Sequence, residues 1–377
     1  MAHETTDIGI LLGERAYRAL ERRSGRKAGG KGAERGADER ISLYERAAAE
    51  AGARPIYFSL RRMRLAKGTI EGIRRTNGRY ARVRTGLPRA VHNRAFPASS
   101  RDRQELKRLA RRAQVFNPRP RIPKYEVHRR LRARFDRWLP ETKAYSKGAL
   151  LELMRRYGDV FAKPQRGSVG RGVASVKRTS SGRWDVRLPG GKRRRMSFAS
   201  AAAAIDRLAR GRSYIVQRGI ELARWRGRPF DFRVSVQRDG TGEWQVTGMF
   251  GRVAKAGGRV TNLGRGGRAM RASALLGPSF AKPGDVAAAI ERLSLDVARY
   301  AGDRWPGLAD LGLDVGVDAG GAPYLIELNC RDQRYGFEKA GMPAAFRRTY
   351  ENPVRYAKFL ADGGRPPRTR SGSNGNA

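Results

Sequence analysis

Residues 311–329 carry two β-patterned runs joined by a turn, and they read Leu311-Gly-Leu-Asp-Val-Gly-Val-Asp-Ala-Gly-Gly-Ala-Pro-Tyr-Leu-Ile-Glu-Leu-Asn329. The runs Leu313–Val317 and Pro323–Leu328 are apolar or alternate in polarity, as strands do. The Asp-Ala-Gly-Gly between them is a turn signal. This segment is therefore predicted to be a β-hairpin.

Three oxygen-bearing side chains fall at one place on the hairpin. Asp314 on the first strand would lie roughly opposite Glu327 and Asn329 on the second, and these two share a face because side chains alternate along a strand. Two carboxylates and an amide oxygen suit a hard divalent cation that takes further ligands from water and substrate phosphates. We predict a Mg²⁺ site, with Mn²⁺ as the alternative ion. The competing interpretation is structural, with Asp314 in a turn and Glu327 a solvated strand charge.

Composition limits the classes of protein to consider. The chain has 377 residues, of which 40% are hydrophobic, enough for a sizeable core and two or three subdomains. A single cysteine, Cys330, excludes a disulfide framework, and we interpret it as a packing residue. The three histidines are scattered and do not have the spacing of a zinc site. No apolar run approaches the ~18–20 residues of a membrane helix, so no membrane insertion and a cytoplasmic location are expected.

The net charge of +45 implies strong attraction to polyanions whatever the fold. The positive residues are nevertheless spread along the chain, without zinc-finger spacing, an RNP-like aromatic motif or a basic region with heptads. A solvated surface accounts for each local cluster, whereas their sum predicts contact with an anionic polymer.

The first part of the chain has an α/β pattern. Asp7–Gly13 is a short apolar run, Ile41–Ala51 is helical in pattern, and Ala53–Ser59 resumes strand character. Residues 22–40 are rich in Gly, Lys and Arg and predict a flexible loop. A proline-rich boundary near residue 120 closes an N-terminal α/β subdomain.

A second chemical signal lies farther along, where a predicted strand ends in Lys163-Pro164. The glycine-rich turn Arg166-Gly-Ser-Val-Gly-Arg-Gly172 follows it. Backbone amides in such a turn can cradle phosphate oxygens, and Lys163 supplies a charge for the same phosphates. No Gly-Lys-Ser/Thr follows, so this is not a Walker A loop, and a tight β-turn is the alternative. The later strand Ser213–Ile220 leaves its end free to meet a purine edge through backbone groups.

Two further strands and a loop carry polar groups. Asp231 and Arg233 share a face of the strand Pro229–Gln237, and Arg252 lies on the strand that follows. The next loop contains the amide of Asn262. An ion pair within the strand is the alternative interpretation of Asp231 and Arg233.

In this order, the motifs resemble the ATP-grasp superfamily of carboxylate–amine ligases. Within that superfamily, Trp138-Leu-Pro-Glu-Thr, the Asn262 loop and the terminal Pro353-Val-Arg-Tyr-Ala-Lys-Phe-Leu resemble the YheC/YheD family, known from spore-forming bacteria as coat-associated proteins. The resemblance spans roughly Ile8–Leu360. Its most specific part is the spacing of Asp314, Glu327 and Asn329.

The resemblance implies an ATP-grasp fold of the α/β (α+β) class. It implies subdomains at residues 1–120, 121–216 and 217–362, followed by a disordered tail at 363–377. ATP would lie between the last two subdomains, held by Lys124, Lys163, Gly167, Ser168, Gly170, Gly172, Gln217, Arg218, Gly219, Ile220 and Asp231. Arg233, Arg252 and Asn262 would be catalytic, with the arginines steering the γ-phosphate or the acyl-phosphate. Asp314, Glu327 and Asn329 would hold one or two Mg²⁺ ions.

The activity implied is that of an ATP- and Mg²⁺-dependent carboxylate–amine ligase that forms an acyl-phosphate on an acidic substrate. Two alternatives belong to other classes. One is a non-catalytic ATP-binding scaffold of the spore or envelope, and the other is a polyanion-binding protein with a vestigial ATP-grasp core. The resemblance also implies a spore association as an alternative to the cytoplasm.

Overall fold

The computed structural model describes residues 5–24, 39–167, 170–190 and 193–367. Most of the predicted loop 22–40, and the tail from residue 368 onward, lie outside these ranges. The described residues form three β-sheets that follow one another along the chain. Helices cover the sheets, and four short 3-10 helices occur at Leu60–Arg62, Leu65–Lys67, Asp136–Trp138 and Leu263–Arg265.

The first sheet has the order β3-β4-β2-β1-β6-β7, with β5 paired to β4. Its strands are β1 (Thr6–Leu11), β2 (Ala53–Phe58), β3 (Met63–Arg64), β4 (Thr69–Thr76), β5 (Arg79–Gly86), β6 (Ala90–Asn93) and β7 (Gln114–Phe116), and its helices are α1 (Glu14–Glu21), α2 (Ile41–Ala51) and α3 (Ser100–Ala110). Strands β2, β1, β6 and β7 are parallel. Helix α2 ends at Gly52, whose φ of 65° suits a residue without a Cβ.

The second sheet is wholly antiparallel, in the order β12-β11-β10-β9-β13-β8. After helix α4 (Lys124–Phe135), its elements are β8 (Thr142–Ala144), α5 (Lys147–Tyr157), β9 (Asp159–Pro164), β10 (Ala174–Arg178), β11 (Trp184–Arg187), β12 (Arg193–Met196), α6 (Phe198–Ala209) and β13 (Tyr214–Arg218). Leucines of α5 and alanines of α6 form one buried cluster with the sheet. The core therefore lies on one face of this sheet, between it and the two helices.

The third sheet has the order β17-β16-β15-β18-β19, with β14 paired to β15. Its elements are β14 (Arg224–Trp225), β15 (Arg228–Arg238), β16 (Trp244–Val253), β17 (Arg268–Arg271), α7 (Ser273–Ser279), α8 (Pro283–Arg304), β18 (Asp310–Val317), β19 (Pro323–Asn329), α9 (Tyr335–Lys339) and α10 (Pro343–Ala361). The predicted hairpin is confirmed, because β18 and β19 pair antiparallel with Asp314 opposite Glu327 and Gly312 opposite Asn329. Cys330, which follows it, is buried, and burial raises its pKa to about 12.

Two helices pack away from their sequence neighbours. Helix α4 falls within the predicted central subdomain, but Val127, Leu131 and Phe135 belong to the core of the third sheet. Helix α10 belongs by sequence to the third sheet but packs onto α2 and onto β1 and β6 of the first sheet. The first and third sheets are thus joined by a shared helix. None of the helices in the described ranges combines the length and the hydropathy that a membrane span requires.

Candidate functional site

A deep cleft separates the second sheet from the third and encloses about 1240 Å³ between protein atoms, part of it open to solvent. Strands β9 and β13 form one wall, and β15, β16, β18 and β19 form the other. Most of the predicted site residues line it: Lys124, Lys163, Gly167, Gly170, Gln217, Arg218, Ile220, Asp231, Arg252, Asn262, Asp314 and Glu327. Residues from both ends of the chain's second half therefore meet in one space large enough for a nucleotide.

Asp314 is buried at the floor of this cleft. Its carboxylate oxygens lie 3.2 Å from Arg233 Nη1 and 3.1 Å from Arg252 Nη2. Burial alone would raise the pKa of Asp314, but the two guanidiniums outweigh burial and hold that pKa below its ordinary value. Asp314 Oδ1 is nevertheless buried without a hydrogen bond from any described residue. One oxygen of an ionised carboxylate is therefore left available to a ligand.

Glu327 lies opposite Asp314, and its Oε1 accepts a hydrogen bond of 2.9 Å from Lys124 Nζ. Asn329 lies two residues farther along β19. The described ranges hold no cluster of three or more His, Cys, Asp or Glu side chains in metal-binding proximity. Two carboxylates and an amide fit Mg²⁺, because this ion retains water and draws other ligands from phosphates. The unbonded Asp314 Oδ1 agrees with that fit.

Arg252 is the cation fixed most firmly in the cleft. Its Nε and Nη2 donate to the two oxygens of Asp231 at 2.8 and 2.6 Å, and Thr261 Oγ1 donates to the same carboxylate at 2.7 Å. The bidentate pair fixes the guanidinium plane beside Asp314. We infer that Asp231 positions Arg252, since both of its oxygens are already hydrogen-bonded, in place of the predicted contact with ribose or phosphate.

Arg233 departs from the prediction. Its side chain is only 7% exposed, lies against Asp314 and does not line the cleft. Arg233 comes from the same face of β15 as Asp231, but the neighbouring strand places Asp314 over it. A role in neutralising Asp314 fits this position, whereas direct steering of a phosphate does not.

The phosphate side of the cleft has two lysines. Lys124 Nζ donates to Gly167 O at 3.1 Å as well as to Glu327, and so ties the glycine-rich turn to the carboxylates. Lys163 Nζ donates to Gln217 Oε1. Burial lowers the pKa of Lys163 to about 8. Gly170 lines the cleft, whereas Ser168 lies outside the described residues.

Several other predicted residues have structural contacts. Gly172 does not line the cleft; it has a φ of 75°, and its carbonyl accepts from Tyr214 Oη at 3.0 Å. Asn262 lines the cleft, but its side-chain oxygen accepts from Gly264 N at 2.8 Å and begins a 3-10 helix. Asn329 lines a smaller cavity beside the cleft. These positions correct the expectation that each would touch ATP directly.

The predicted adenine hinge is shorter than expected. Arg218 N donates to Glu141 O and Gly219 N to Asp159 O, so the sheet already uses both donors. Ile220 N donates to none of the described residues. Gly219 does not line the cleft, because it packs on Asp159, where an added Cβ would lie 2.3 Å from Oδ1. The free backbone donor for a purine edge therefore begins at Ile220.

Replacing Gly219 with alanine is expected to destabilise the fold by about 1–3 kcal/mol, because the methyl group would displace a buried carboxylate. Asp159 cannot yield easily, since its carboxylate is paired with Arg259. Urea unfolding measures the change. Gly284→Ala is the control, because no atom lies within 4 Å of the added Cβ and the site is in α8. Equal stability of the two variants would contradict the close approach.

Sequence reasoning missed part of the cleft. Phe161 lines it with its ring beneath two cations, Arg259 at 4.9 Å and Lys163 Nζ at 5.3 Å from the ring centroid. Phe161 lies two residues before Lys163 on β9, so strand alternation would have placed both on one face. Arg259 and its partner Asp159 are 100 residues apart, and no local pattern reports their contact.

Comparison with known proteins decides the family. The profile of the YheC/D like ATP-grasp family matches residues 112–360. The chain belongs to this family. The match includes α4, the whole second and third sheets and most of α10, and so covers both walls of the cleft. The predicted resemblance and the ATP-grasp fold class are confirmed.

Individual relatives of this YheC/D-like chain agree. It is 25% identical over 339 residues to the endospore coat-associated protein YheD of Bacillus subtilis (strain 168), covering 85% of this chain and 73% of YheD. Among solved structures, D-cycloserine synthetase DcsG superposes with a TM-score of 0.51 at 15% identity, covering 94% of this chain and 99% of DcsG. The ATP-grasp ligase PsnB, solved with a phosphomimetic variant of its minimal precursor, Mg and ADP, gives a TM-score of 0.49 at 16% identity, with coverages of 91% and 97%.

Proposed function

We propose that this chain is an ATP- and Mg²⁺-dependent ligase that activates a carboxylate of an acidic substrate and joins it to an amine. One observation carries the proposal: Asp314 and Glu327, partners across one hairpin, face the same cleft as Lys124, Lys163 and Arg252. Such a site combines ligands for a divalent cation with cations for phosphate oxygens.

The chain's own residues would divide the work by position. The apolar side chains of Phe161, Ile220 and Ile326 would contact the purine, and Ile220 N would donate to its edge. Lys124 and Lys163 would bind phosphate oxygens, and Arg252, fixed by Asp231, would meet the charge that shifts during transfer. Asp314, Glu327 and Asn329 would hold Mg²⁺, or Mn²⁺ in its place. The chemistry that this ion supplies is charge neutralisation on the phosphates.

The proposed reaction has two steps. A substrate carboxylate oxygen attacks the γ-phosphorus, the bond to the β,γ-bridging oxygen breaks, and ADP leaves with the electron pair. An amine nitrogen then attacks the carbonyl carbon of the acyl-phosphate, the carbon–oxygen bond to phosphate breaks, and the nitrogen loses a proton. No nucleophilic side chain is required, in keeping with the charged, nucleophile-free floor of the described cleft.

The test is ATP-dependent phosphate release with panels of carboxylic acids and amines, alongside calorimetric titration of ATP with Mg²⁺. The proposal expects nucleotide binding and release that depends on both co-substrates. Binding without release under any pair would favour the scaffold alternative, and absence of nucleotide binding would refute the site. Contact with an anionic polymer stays a prediction from charge. The exposed β5 arginines Arg82 and Arg84, 71% and 64% exposed, are where it would be sought.

ATP affinity is expected to fall as the pH rises through about 8. The cationic form of Lys163 binds phosphate, and burial has lowered the pKa of Lys163 to about 8, so its charge is present below that pH and lost above it. A charged hydrogen bond is worth about 1.5–3 kcal/mol, which corresponds to roughly 10- to 100-fold in affinity. Calorimetry between pH 6.5 and 9.5 measures the change. Lys163→Met should bind weakly at every pH, and an identical slope in this variant would assign the titration to another group.

A further inference from the structure

A second cavity adjoins the carboxylate end of the cleft. This Phe96 pocket is lined by Phe96, Arg121, Arg166, Asn329, Arg331 and Gln333, and has about 490 Å³ between its atoms, part of it open to solvent. It shares Lys124, Gly167 and Glu327 with the cleft. A molecule in this pocket would therefore reach the place where the γ-phosphate is proposed to lie.

Two guanidiniums of the Phe96 pocket are held against one aromatic ring. The Arg121 Cζ atom lies 4.7 Å and the Arg331 Cζ atom 4.5 Å from the Phe96 ring centroid. Cation–π contact fixes the direction of both groups without neutralising them. Phe96 thus presents two positive charges at the side of the pocket away from the ATP cleft.

Arg331 has only a share of a carboxylate. Glu39 accepts from Arg94 at 2.8 Å and from Arg331 at 3.1 Å, and Arg334 lies 3.9 Å away. Burial opposes ionisation, but these guanidiniums lower the pKa of Glu39 to about 2. Asp310 also faces Arg94 and Arg334, whereas no second carboxylate of the described residues reaches Arg331. Arg331 Nε is buried and donates to none of those residues. Positive charge therefore remains unbalanced at the wall of the pocket.

We propose that the Phe96 pocket binds the carboxylic substrate, and that this substrate is a dianion whose second anionic group is bound by Arg331 and Arg121. The inference rests on the proposed ligase function. The carboxylate to be activated must lie at the Lys124 and Glu327 end, next to the γ-phosphate. The arginines at the Phe96 end then meet a different group of the same molecule, a carboxylate or a phosphate.

The experiment compares each dianion with its uncharged-end partner in stimulating phosphate release from ATP and Mg²⁺. The carboxylate arm pairs succinate with succinamate, glutarate with glutaramate, and D- and L-glutamate with the corresponding glutamine. The phosphate arm uses 4-phosphonobutyrate against butyrate. The expected result is that at least one dianion stimulates release with a kcat/KM about tenfold or more above its partner's, the worth of one charged hydrogen bond.

Arg331→Gln and Arg121→Gln should each reduce that preference about tenfold and leave ATP affinity, measured by calorimetry, unchanged. Arg121 is exposed, so its variant keeps the test valid if Arg331→Gln unfolds. Arg132→Gln is the control, because Arg132 lies on α4 with a side chain 67% exposed. Nucleotide binding without any dianion preference, including no stimulation by any dianion, would overturn this inference and leave nucleotide binding in place. Failure to bind ATP would instead overturn the proposed function.

Discussion

Asp310→Asn is expected to lower the free energy of unfolding by about 3–5 kcal/mol, because it leaves buried guanidiniums without their counter-ion. Asp310 Oδ2 lies 2.8 Å from Arg94 Nη1 and 2.9 Å from Arg334 Nη2, and Gln237 donates to Oδ1 at 2.8 Å. Each of these ionic side chains is no more than 2% exposed. Urea unfolding followed by circular dichroism measures the loss.

Asp136→Asn is the matched control for this change. Asp136 pairs with Arg132 at 3.0 Å, but both side chains are 67% exposed, and such pairs contribute about 0–1 kcal/mol. Similar losses in the two variants would mean that the buried network does not stabilise the fold. The network joins the first sheet to the third, so both transitions should shift together if the two sheets unfold as one unit.

Glu327→Gln is expected to reduce substrate-dependent phosphate release by at least about 10²-fold, the effect of removing one preorganised charged group from an active site. The change keeps the shape of the side chain but removes a carboxylate from the proposed Mg²⁺ ligands and from Lys124. Phosphate release and ATP titration, each with and without Mg²⁺, measure the effect. The loss in ATP affinity should appear only when Mg²⁺ is present.

Asp318→Asn controls for damage to the same hairpin. Asp318 lies in the turn, and its Oδ1 accepts from Gly320 N at 3.0 Å and Ala322 N at 2.9 Å, contacts that an asparagine retains. Its activity should stay within about twofold of the unmodified chain, because a surface substitution that keeps its contacts perturbs little. Full activity in Glu327→Gln would refute a role for the hairpin in metal binding.

The local elements of the fold were open to prediction from sequence. The helices Ile41–Ala51 and α4 have the predicted bounds, and the hairpin at Asp314 has the predicted pairing, because periodicity and turn residues are local signals. The β4–β5 hairpin was missed. Its Asn77-Gly78 turn has φ values of 48° and 75°, typical of a tight hairpin, but the many arginines of both strands hide the alternation.

The candidate site was predictable only as a set of residue types in order. The lysines, Arg252 and the two acids do line one cleft, yet the partners that decide their roles come from distant strands. Arg233 was placed on the correct face of β15, but only the pairing with β18 puts Asp314 over it. The Glu39 network joins residues up to 295 positions apart, which no local pattern encodes.

Helix α10 gives the order in which this chain is synthesised a physical consequence. Tyr350 packs on Tyr44 with ring centroids 4.9 Å apart, Tyr356 packs on Phe116 at 5.1 Å, and Asp362 accepts from Thr6. The earliest strands to leave the ribosome are therefore covered by nearly the last helix. At about 5–20 residues per second, roughly 10–50 s separate the emergence of β7 from that of α10. Throughout that interval one apolar face of the nascent first sheet lacks its final cover, and it is the surface on which a chaperone would act.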